Sequence, residues 1–332
     1  MKYAFIRRHE QLFRVTRMCA VLDVSSSTAE NELPWYETPS FRFRCLRLLP
    51  KNEFGDWLFA VALFRHWHGR WPKRSGGTIN DALFRLKTSA DITNPLRVYV
   101  SDKEHVKDYV RARLGDEFNV ATIACLKSWA SVKRFDFPSR CVIKPTHLSG
   151  AVVMRKRGEA LDLLALKKWF KANFYDHTRE RNYRTLVPKI IVEPFVFDSE
   201  MPTHHKIYCY RGEPRMILTR VRAAAEGLRT FFDDRWNPQP IHYVDDKTDA
   251  VQQQPPNGDL LLHVARVLSN EFAFSKRSSL IRVDLYSDGN QVKVGELTNC
   301  PCGAGIMYDS PESELRATRL LFGDGPHEAI VG

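Results

Sequence analysis

The sequence has little that would place the protein in a membrane or build it on disulfides. No stretch of about 18 consecutive apolar residues occurs, so no membrane-spanning helix is expected. The N-terminus, MKYAFIRRHEQLFRV, carries charges throughout and has no apolar signal core. A cytoplasmic protein is the expectation, one that could still work at the inner membrane face on a lipid-linked substrate. The seven cysteines are odd in number and scattered: Cys19, Cys45, Cys125, Cys141, Cys209, Cys300 and Cys302. No Cys-x-x-Cys occurs, which excludes a zinc ribbon and any obvious disulfide frame. Cys300-Pro301-Cys302 reads as small residues in a tight turn. Internal repeats, low-complexity tracts and a Walker A loop are also missing. Acidic residues are in short supply, 39 against 50 basic ones, for a formal net charge of +11. That excess implies attraction to an anion: nucleotide, nucleic acid, acidic glycan or membrane surface. Charge alone does not choose among them.

What is present is an ordinary globular composition, with 43% hydrophobic and 11% aromatic residues in a chain of 332. The length suffices for two lobes. SDKEHVKDYVRARLG (101–115) predicts an amphipathic helix with a Ser/Asp start and a Gly stop. LDLLALKKWFKANFY (161–175) and NGDLLLHVARVLSNEF (257–272) predict two more helices. Residues 137–160 read strand, polar glycine loop, strand; 188–197 a short buried strand entering a connector; 204–223 a strand pair turning at Arg211-Gly212-Glu213. The fold class is α+β, with antiparallel hairpins rather than regular βαβ alternation. Between 56 and 75, basic and aromatic residues interleave around Trp67 and Trp71. They could stack on bases or sugars, but a packed helix end followed by a solvated loop is the favoured reading.

The chemistry concentrates in LIRVDLYSDGNQVKVGELTNCPCGAG, residues 280–305. Two apolar strands flank a Ser-Asp-Gly-Asn turn, and a carboxylate sits inside each. With an odd-numbered loop, Asp284 and Glu296 point to one face, joined by Arg282 and Thr298. Buried carboxylates need compensation, and a divalent cation supplies it; oxygen donors suit magnesium. Arg282 could stabilise a transferring phosphoryl group or an oxyanion. Cys302-Gly303-Ala304-Gly305 could add backbone N–H groups. Upstream, Lys144 on an apolar strand calls for an anion, and the loop Thr146-His147-Leu148-Ser149-Gly150 could fold over phosphates. Glu193 closes the run Ile190-Ile191-Val192 and, with its neighbouring backbone, could read adenine; Asp198 or Glu200 could take ribose hydroxyls. Lys206, Arg220 and Arg222 add cations suited to a triphosphate or acyl-phosphate. His204 and His205 face opposite ways on a strand and are not read as one metal site.

Taken in order, Lys103, Lys144 with its glycine loop, Glu193, Lys206, Arg282-x-Asp284 and Glu296-x-Thr298 resemble the ATP-grasp superfamily. VSDKEHVKDYV, VIKPTHLSG, NYRTLVPKIIVEPFV, HHKIYCYRGEPRMI, FFDDRWNPQPI and the acidic hairpin are similar to its TupA-like branch, named for teichuronic acid biosynthesis. The likeness spans roughly residues 50–323. It implies an ATP-grasp fold, two α+β lobes gripping ATP plus a partial N-terminal domain. It implies boundaries of 25–100 for an N-terminal connector region, 101–195 for the first lobe and 196–325 for the second. By the same resemblance Lys103 and Lys144 hold phosphates, and the loop with His147, Ser149 and Gly150 closes over them. Glu193, Pro194, Phe195 and Val196 hold adenine, and Lys206 contacts phosphate. Asp284 and Glu296 bind magnesium (manganese as an alternative), with Thr298 or Asn299 as third ligand. Arg282, Lys206 and Gly303 form the catalytic set. The implied reaction joins an amino acid or other amine to a carboxylate, that of a uronic acid in a surface polysaccharide, with formation of ADP. Cys302 stands where the family has glycine, and His205 where TupA-like chains show Asp. Residues 1–24 resemble the start of an insertion-sequence transposase, so a nucleic-acid-binding protein is the rival reading. A degenerate ATP-grasp that binds without catalysis is a third.

Overall fold

The computed structural model describes residues 46–200, 202–221, 228–246, 251–273 and 279–323. The transposase-like stretch 1–24 and Arg222 lie outside the described residues. The chain divides into two compact units, 1–55 and 56–332, and the second carries both sheets.

In chain order the first elements are α1 (Glu53–His68), α2 (Ile79–Thr88), α3 (Pro95–Val100) and α4 (His105–Leu114). Next come β1 (Ala124–Leu126), α5 (Trp129–Arg134), β2 (Cys141–Pro145), β3 (Val153–Arg155), α6 (Leu163–Trp169), α7 (Phe174–Thr178) and β4 (Ile190–Glu193). The last group is β5 (Thr203–Tyr210), β6 (Glu213–Val221), β7 (Leu228–Asp233), β8 (Pro238–Gln239), α8 (Gly258–Ser269), β9 (Leu280–Ser287), β10 (Val292–Thr298) and α9 (Pro311–Phe322). A four-stranded sheet has the order β1-β4-β2-β3 and a six-stranded sheet the order β10-β9-β5-β6-β7-β8. Every neighbouring pair is antiparallel.

Alternation decides which face of each sheet is core. On the larger sheet Ile207, Cys209, Ile217, Ile281, Val283 and Leu297 pack against Val106 and Val110 of α4 and Leu261, Val264 and Leu268 of α8. Each such aliphatic side chain contributes about 1.5–3 kcal/mol by leaving water. The opposite face is split. Tyr208, Met216, Leu218 and Phe231 pack with Phe64, Leu83 and Leu321, while the polar residues take the part toward β9 and β10. On the smaller sheet Cys141, Ile143, Ile190 and Val192 face Val132, Leu166, Trp169 and Phe174. The other face presents Val142, Lys144, Ile191 and Glu193.

Two helices differ from expectation for local reasons. The predicted helix over 161–175 is broken into α6 and α7. Asn173 accepts a hydrogen bond from the Tyr175 N–H at 3.0 Å, capping a new helix where continuation was expected. The helix expected from 101 starts at His105, because Asp102 Oδ1 accepts the Glu104 N–H at 2.8 Å. Lys103 is thereby left outside the helix. Arg211 and Gly212, at φ 55° and 79°, turn β5 into β6 as a left-handed pair.

Candidate active site

The polar face of the larger sheet gathers Lys206 from β5, Arg282, Asp284 and Tyr286 from β9, and Glu296 and Thr298 from β10. Lys206 stands opposite Asp284 across the β5–β9 ladder, and Tyr208 opposite Arg282. The hairpin loop between β9 and β10 spans residues 288–291, an even number. A regular ladder would then put Glu296 on the far face from Asp284. A β-bulge between Val294 and Glu296 corrects this, and Glu296 pairs directly with Asp284. A side chain on Gly295 would come within 2.8 Å of the Tyr286 ring and 3.3 Å of the Asp284 carbonyl oxygen.

Arg282 donates to both oxygens of Asp284, at 2.5 and 2.6 Å, and to Thr298 Oγ1 at 3.0 Å. Its Nη2 lies 3.7 Å from Glu296 Oε1. Thr298 Oγ1 donates to Glu296 Oε1 at 3.2 Å. Burial raises the Asp284 carboxyl against the pull of Arg282 and Lys206. Burial would raise Glu296 too, but Lys103, Arg282 and Lys206 outweigh it and hold that carboxyl below its ordinary value. Lys206 is lowered by the Arg282 charge first and burial second. Among the described residues its ammonium has neither an ion pair nor a hydrogen bond. Asp284 and Glu296 remain reachable, with side chains 16% and 35% exposed. Two opposed carboxylates with a hydroxyl beside them are a hard-oxygen donor set, which fits magnesium.

Asn299 is a correction. Its amide donates to the Arg97 carbonyl and Ser101 Oγ, both at 3.1 Å, and accepts from Arg97 Nη1 at 2.9 Å. Strand parity turns it away from the acids, and it is only 3% exposed. Gly303 is a second correction. Its N–H donates to the Cys300 carbonyl at 3.0 Å, so this group closes a turn and does not serve as an oxyanion donor.

The smaller sheet adds Lys144, 2.8 Å from Glu193 Oε2. Lys107 holds the other oxygen, Oε1, at 2.5 Å. Burial would raise Glu193, yet the two lysines hold it low. In Lys144 the Glu193 charge overrides burial and raises its pKa. The loop after β2 is tied to Lys103: its N–H donates to the Thr146 carbonyl at 3.1 Å and its ammonium to the Leu148 carbonyl. Burial lowers Lys103, Lys144 adds to this, and Glu296 opposes it. Lys103 thus feels a charge from each sheet, Glu296 of the larger and Lys144 of the smaller. His147 is turned to the end of α6, its Nε2 3.0 Å from the Trp169 carbonyl. Ser149 and exposed Gly150, at φ 81°, form the tip of the loop. Lys107, Lys293 and residues 194–197 line a cleft of 460 Å³, which places Pro194, Phe195 and Val196 at its wall. Asp198 is exposed and bound to Arg140, and Glu200 pairs with Lys156 at 2.7 Å, so both are engaged at the surface.

The basic-aromatic stretch is a packed helix end. Trp67 lies against Gly305, His68 Nε2 meets the Ala304 carbonyl at 2.8 Å, and Arg70 is held by Asp81. Exposed Trp71 carries Arg65 over its ring at 4.6 Å. His205 is buried, with Nδ1 3.0 Å from Thr219 Oγ1, and burial pushes its pKa down to about 4. Sequence reasoning missed Lys107, which the helix expected from 101 would have set one turn after Lys103; in the structure Lys107 lies in α4 and Lys103 precedes it. It also missed Lys87 and Glu180, which lie against Gly303; nothing in the pattern around them marked them.

A model of the TupA-like ATP-grasp family matches residues 82–317. The chain belongs to this family. The matched segment opens inside α2 and closes inside α9, so it contains both sheets and Lys103, Lys107, Lys144, Glu193, Lys206, Arg282, Asp284 and Glu296. No curated protein sequence matches. Similar solved structures include D-alanine–D-alanine ligase from Helicobacter pylori, at 13% identity over 69% of this chain and 61% of that one, TM-score 0.37. L-amino acid ligase from Bacillus licheniformis matches at 12% identity over 78% and 61%, TM-score 0.40. D-cycloserine synthetase DcsG matches at 16% identity over 66% and 70%, TM-score 0.35. The chain thus spans 61% of the length of the first two ligases. Among the described residues no helix is long and apolar enough to cross a membrane.

Proposed function

We propose that the protein is an ADP-forming carboxylate–amine ligase that works through an acyl-phosphate. The observation that carries this reading is the polar sheet face on which Lys206, Arg282, Asp284 and Glu296 meet Lys103 and Lys144 from outside that sheet. Among the described residues Lys103 and Lys206 make no ion pair with a carboxylate, in a site where burial is costly, and a polyphosphate would supply the missing charge. Lys144 is positioned by Glu193, whose second oxygen is fixed by Lys107; this leaves the backbone of 194–196 as the adenine contact. Asp284, Glu296 and Thr298 would hold magnesium, which supplies charge neutralisation to the phosphates.

In the first step an oxygen of the substrate carboxylate attacks the γ-phosphorus and the bond to ADP breaks. In the second the neutral amine nitrogen attacks the acyl carbon, the carbon–oxygen bond to phosphate breaks, and phosphate leaves with the proton that the nitrogen gives up as the amide forms. Arg282 lies where it can offset charge on the oxyanion between these steps. The TupA-like membership and the +11 charge favour an acidic sugar, a uronic acid of a surface polysaccharide, as carboxylate and an amino acid as amine.

The test is ADP release coupled to mass spectrometry of the product, over a panel of uronic acids and amino acids. We expect one acid–amine pair to give equal ADP and amide. Asp284→Asn with Glu296→Gln should lower turnover by roughly a hundredfold or more. Full turnover in that double variant contradicts the reading; no turnover together with a salt-steep DNA affinity independent of ATP favours the nucleic-acid alternative, whereas the ligase should keep its turnover when residues 1–24 are removed.

A further inference from the structure

Asp102, Glu104 and His105 hold their ligand atoms within 4.8 Å of one another, a spacing that could take a metal ion. The chain fills it with a charge of its own. The Lys189 ammonium stands 3.2 Å from Asp102 Oδ2 and 3.5 Å from His105 Nε2, and it binds Glu104 Oε2. Lys189 is 5% exposed and Asp102 1%, so each of these charges depends on the other rather than on water. Burial would lower the Lys189 pKa, but Glu104 and Asp102 outweigh it and hold that pKa above its ordinary value.

Lys103 lies in sequence between the two carboxylates that Lys189 holds, so one ammonium fixes both its neighbours. Asp102 Oδ2 also accepts from Thr146 Oγ1 at 3.0 Å, and the Thr146 N–H donates to the Lys189 carbonyl at 2.9 Å. Lys103 in turn donates to the Thr146 and Leu148 carbonyls. The start of the loop 146–150 is therefore fastened from two sides, by Asp102 and Lys103 before α4 and by Lys189 before β4. At the other end of β4 the charges are reversed. Lys107 of α4 meets Glu193, and the same ammonium donates to the Val120 carbonyl at 2.6 Å and to Thr122 Oγ1 at 3.0 Å, both on the cleft wall. α4 packs on the larger sheet and β4 is a strand of the smaller. Two sets of ion pairs of opposite sense thus join these layers, one beside Lys103 and one beside the cleft.

We propose that Lys189 is a positioning residue: through Asp102 and Glu104 it sets Lys103 and the loop 146–150 where they hold the phosphates of the nucleotide. Its own ammonium is taken up by the chain and touches no ligand. The assignment rests on the nucleotide site of the ligase reading and adds the residue that fixes its phosphate end. Lys107 fixes the cleft end, so loss of the Lys189 charge loosens the loop and leaves the cleft as it is.

The test joins two measurements on the full chain. One is calorimetric titration with magnesium and a non-hydrolysable ATP analogue. The other is amide hydrogen exchange of the nucleotide-free chain, read by mass spectrometry. Lys189→Met should bind the analogue about tenfold or more weakly, because a small displacement of a positioned charge is costly. Exchange across 146–150 should quicken about tenfold or more, while 119–122 and 194–197 keep their rates. Thr146→Val removes one neutral hydroxyl and keeps the buried ion pairs, so it serves if Lys189→Met fails to fold. It should weaken the analogue about threefold or more and quicken exchange in the same loop. Unchanged affinity in the folded variants overturns the positioning role. So does exchange that quickens equally in the loop and at the cleft, which is what a merely structural lysine would give. An unaltered chain that binds no analogue overturns the nucleotide reading instead, and the exchange pattern then still decides whether Lys189 holds the loop.

Discussion

Thr298 and Asn299 are neighbours with opposite duties. Thr298 faces Arg282 and Glu296, and Asn299 fastens the end of β10 to Arg97, which also donates to the Leu280 carbonyl at 3.1 Å. Removing the Asn299 amide takes one acceptor from the buried Arg97 guanidinium and one donor from the Ser101 hydroxyl. Asn299→Ala should therefore cost about 2–3 kcal/mol of stability, measured by urea denaturation. Thr298→Ala should cost about 1 kcal/mol or less and act instead on magnesium-dependent turnover. The reverse pattern, an unstable Thr298 variant and a stable Asn299 variant, would exchange the two assignments. The sequence left this pair open because both residues carry an oxygen donor, and only the strand's parity and the position of Arg97 separate them.

At the scale of the element, the acidic hairpin depends on its bulge. The alternation of Ile281, Val283 and Leu285 against Arg282, Asp284 and Tyr286 was legible, and so was the run Ile207–Cys209 beside Lys206. What was not legible is the register. A four-residue connection puts Glu296 on the wrong face, and one extra residue, Gly295, restores it. Deleting Gly295 leaves Glu296 next to Val294, hence still opposite Asp284. That variant should keep magnesium-dependent turnover within about tenfold of the unaltered chain, a loss of about 1.4 kcal/mol. Gly295→Val keeps the register but drives a side chain into Tyr286, and should lose more. If the deletion abolishes turnover in a folded protein while Gly295→Val does not, the register argument fails. The break between α6 and α7 has the same character: Asn173 competes locally with a helix that the wider pattern favoured.

At the scale of the whole molecule, the site is assembled from segments far apart in the chain. Lys103 precedes α4, Lys144 lies one residue before the end of β2, Glu193 closes β4, Lys206 lies in the middle of β5, and the acids lie on β9 and β10. Their order was readable as an ATP-grasp series, because Lys144, Glu193, Lys206, Asp284 and Glu296 each interrupt an otherwise apolar strand. Glu180 and Lys87 were not readable: one sits in an irregular segment after α7, the other at the end of an ordinary amphipathic helix. The central claim is that cations from both sheets converge on one polyphosphate. Calorimetric titration of the full chain with a non-hydrolysable ATP analogue and magnesium tests it most directly. The unaltered chain should bind one analogue, and Lys144→Met on the smaller sheet and Lys206→Met on the larger should each weaken binding tenfold or more, about 1.4 kcal/mol apiece. Affinity unchanged in either folded variant, or no saturable binding at all, would contradict it.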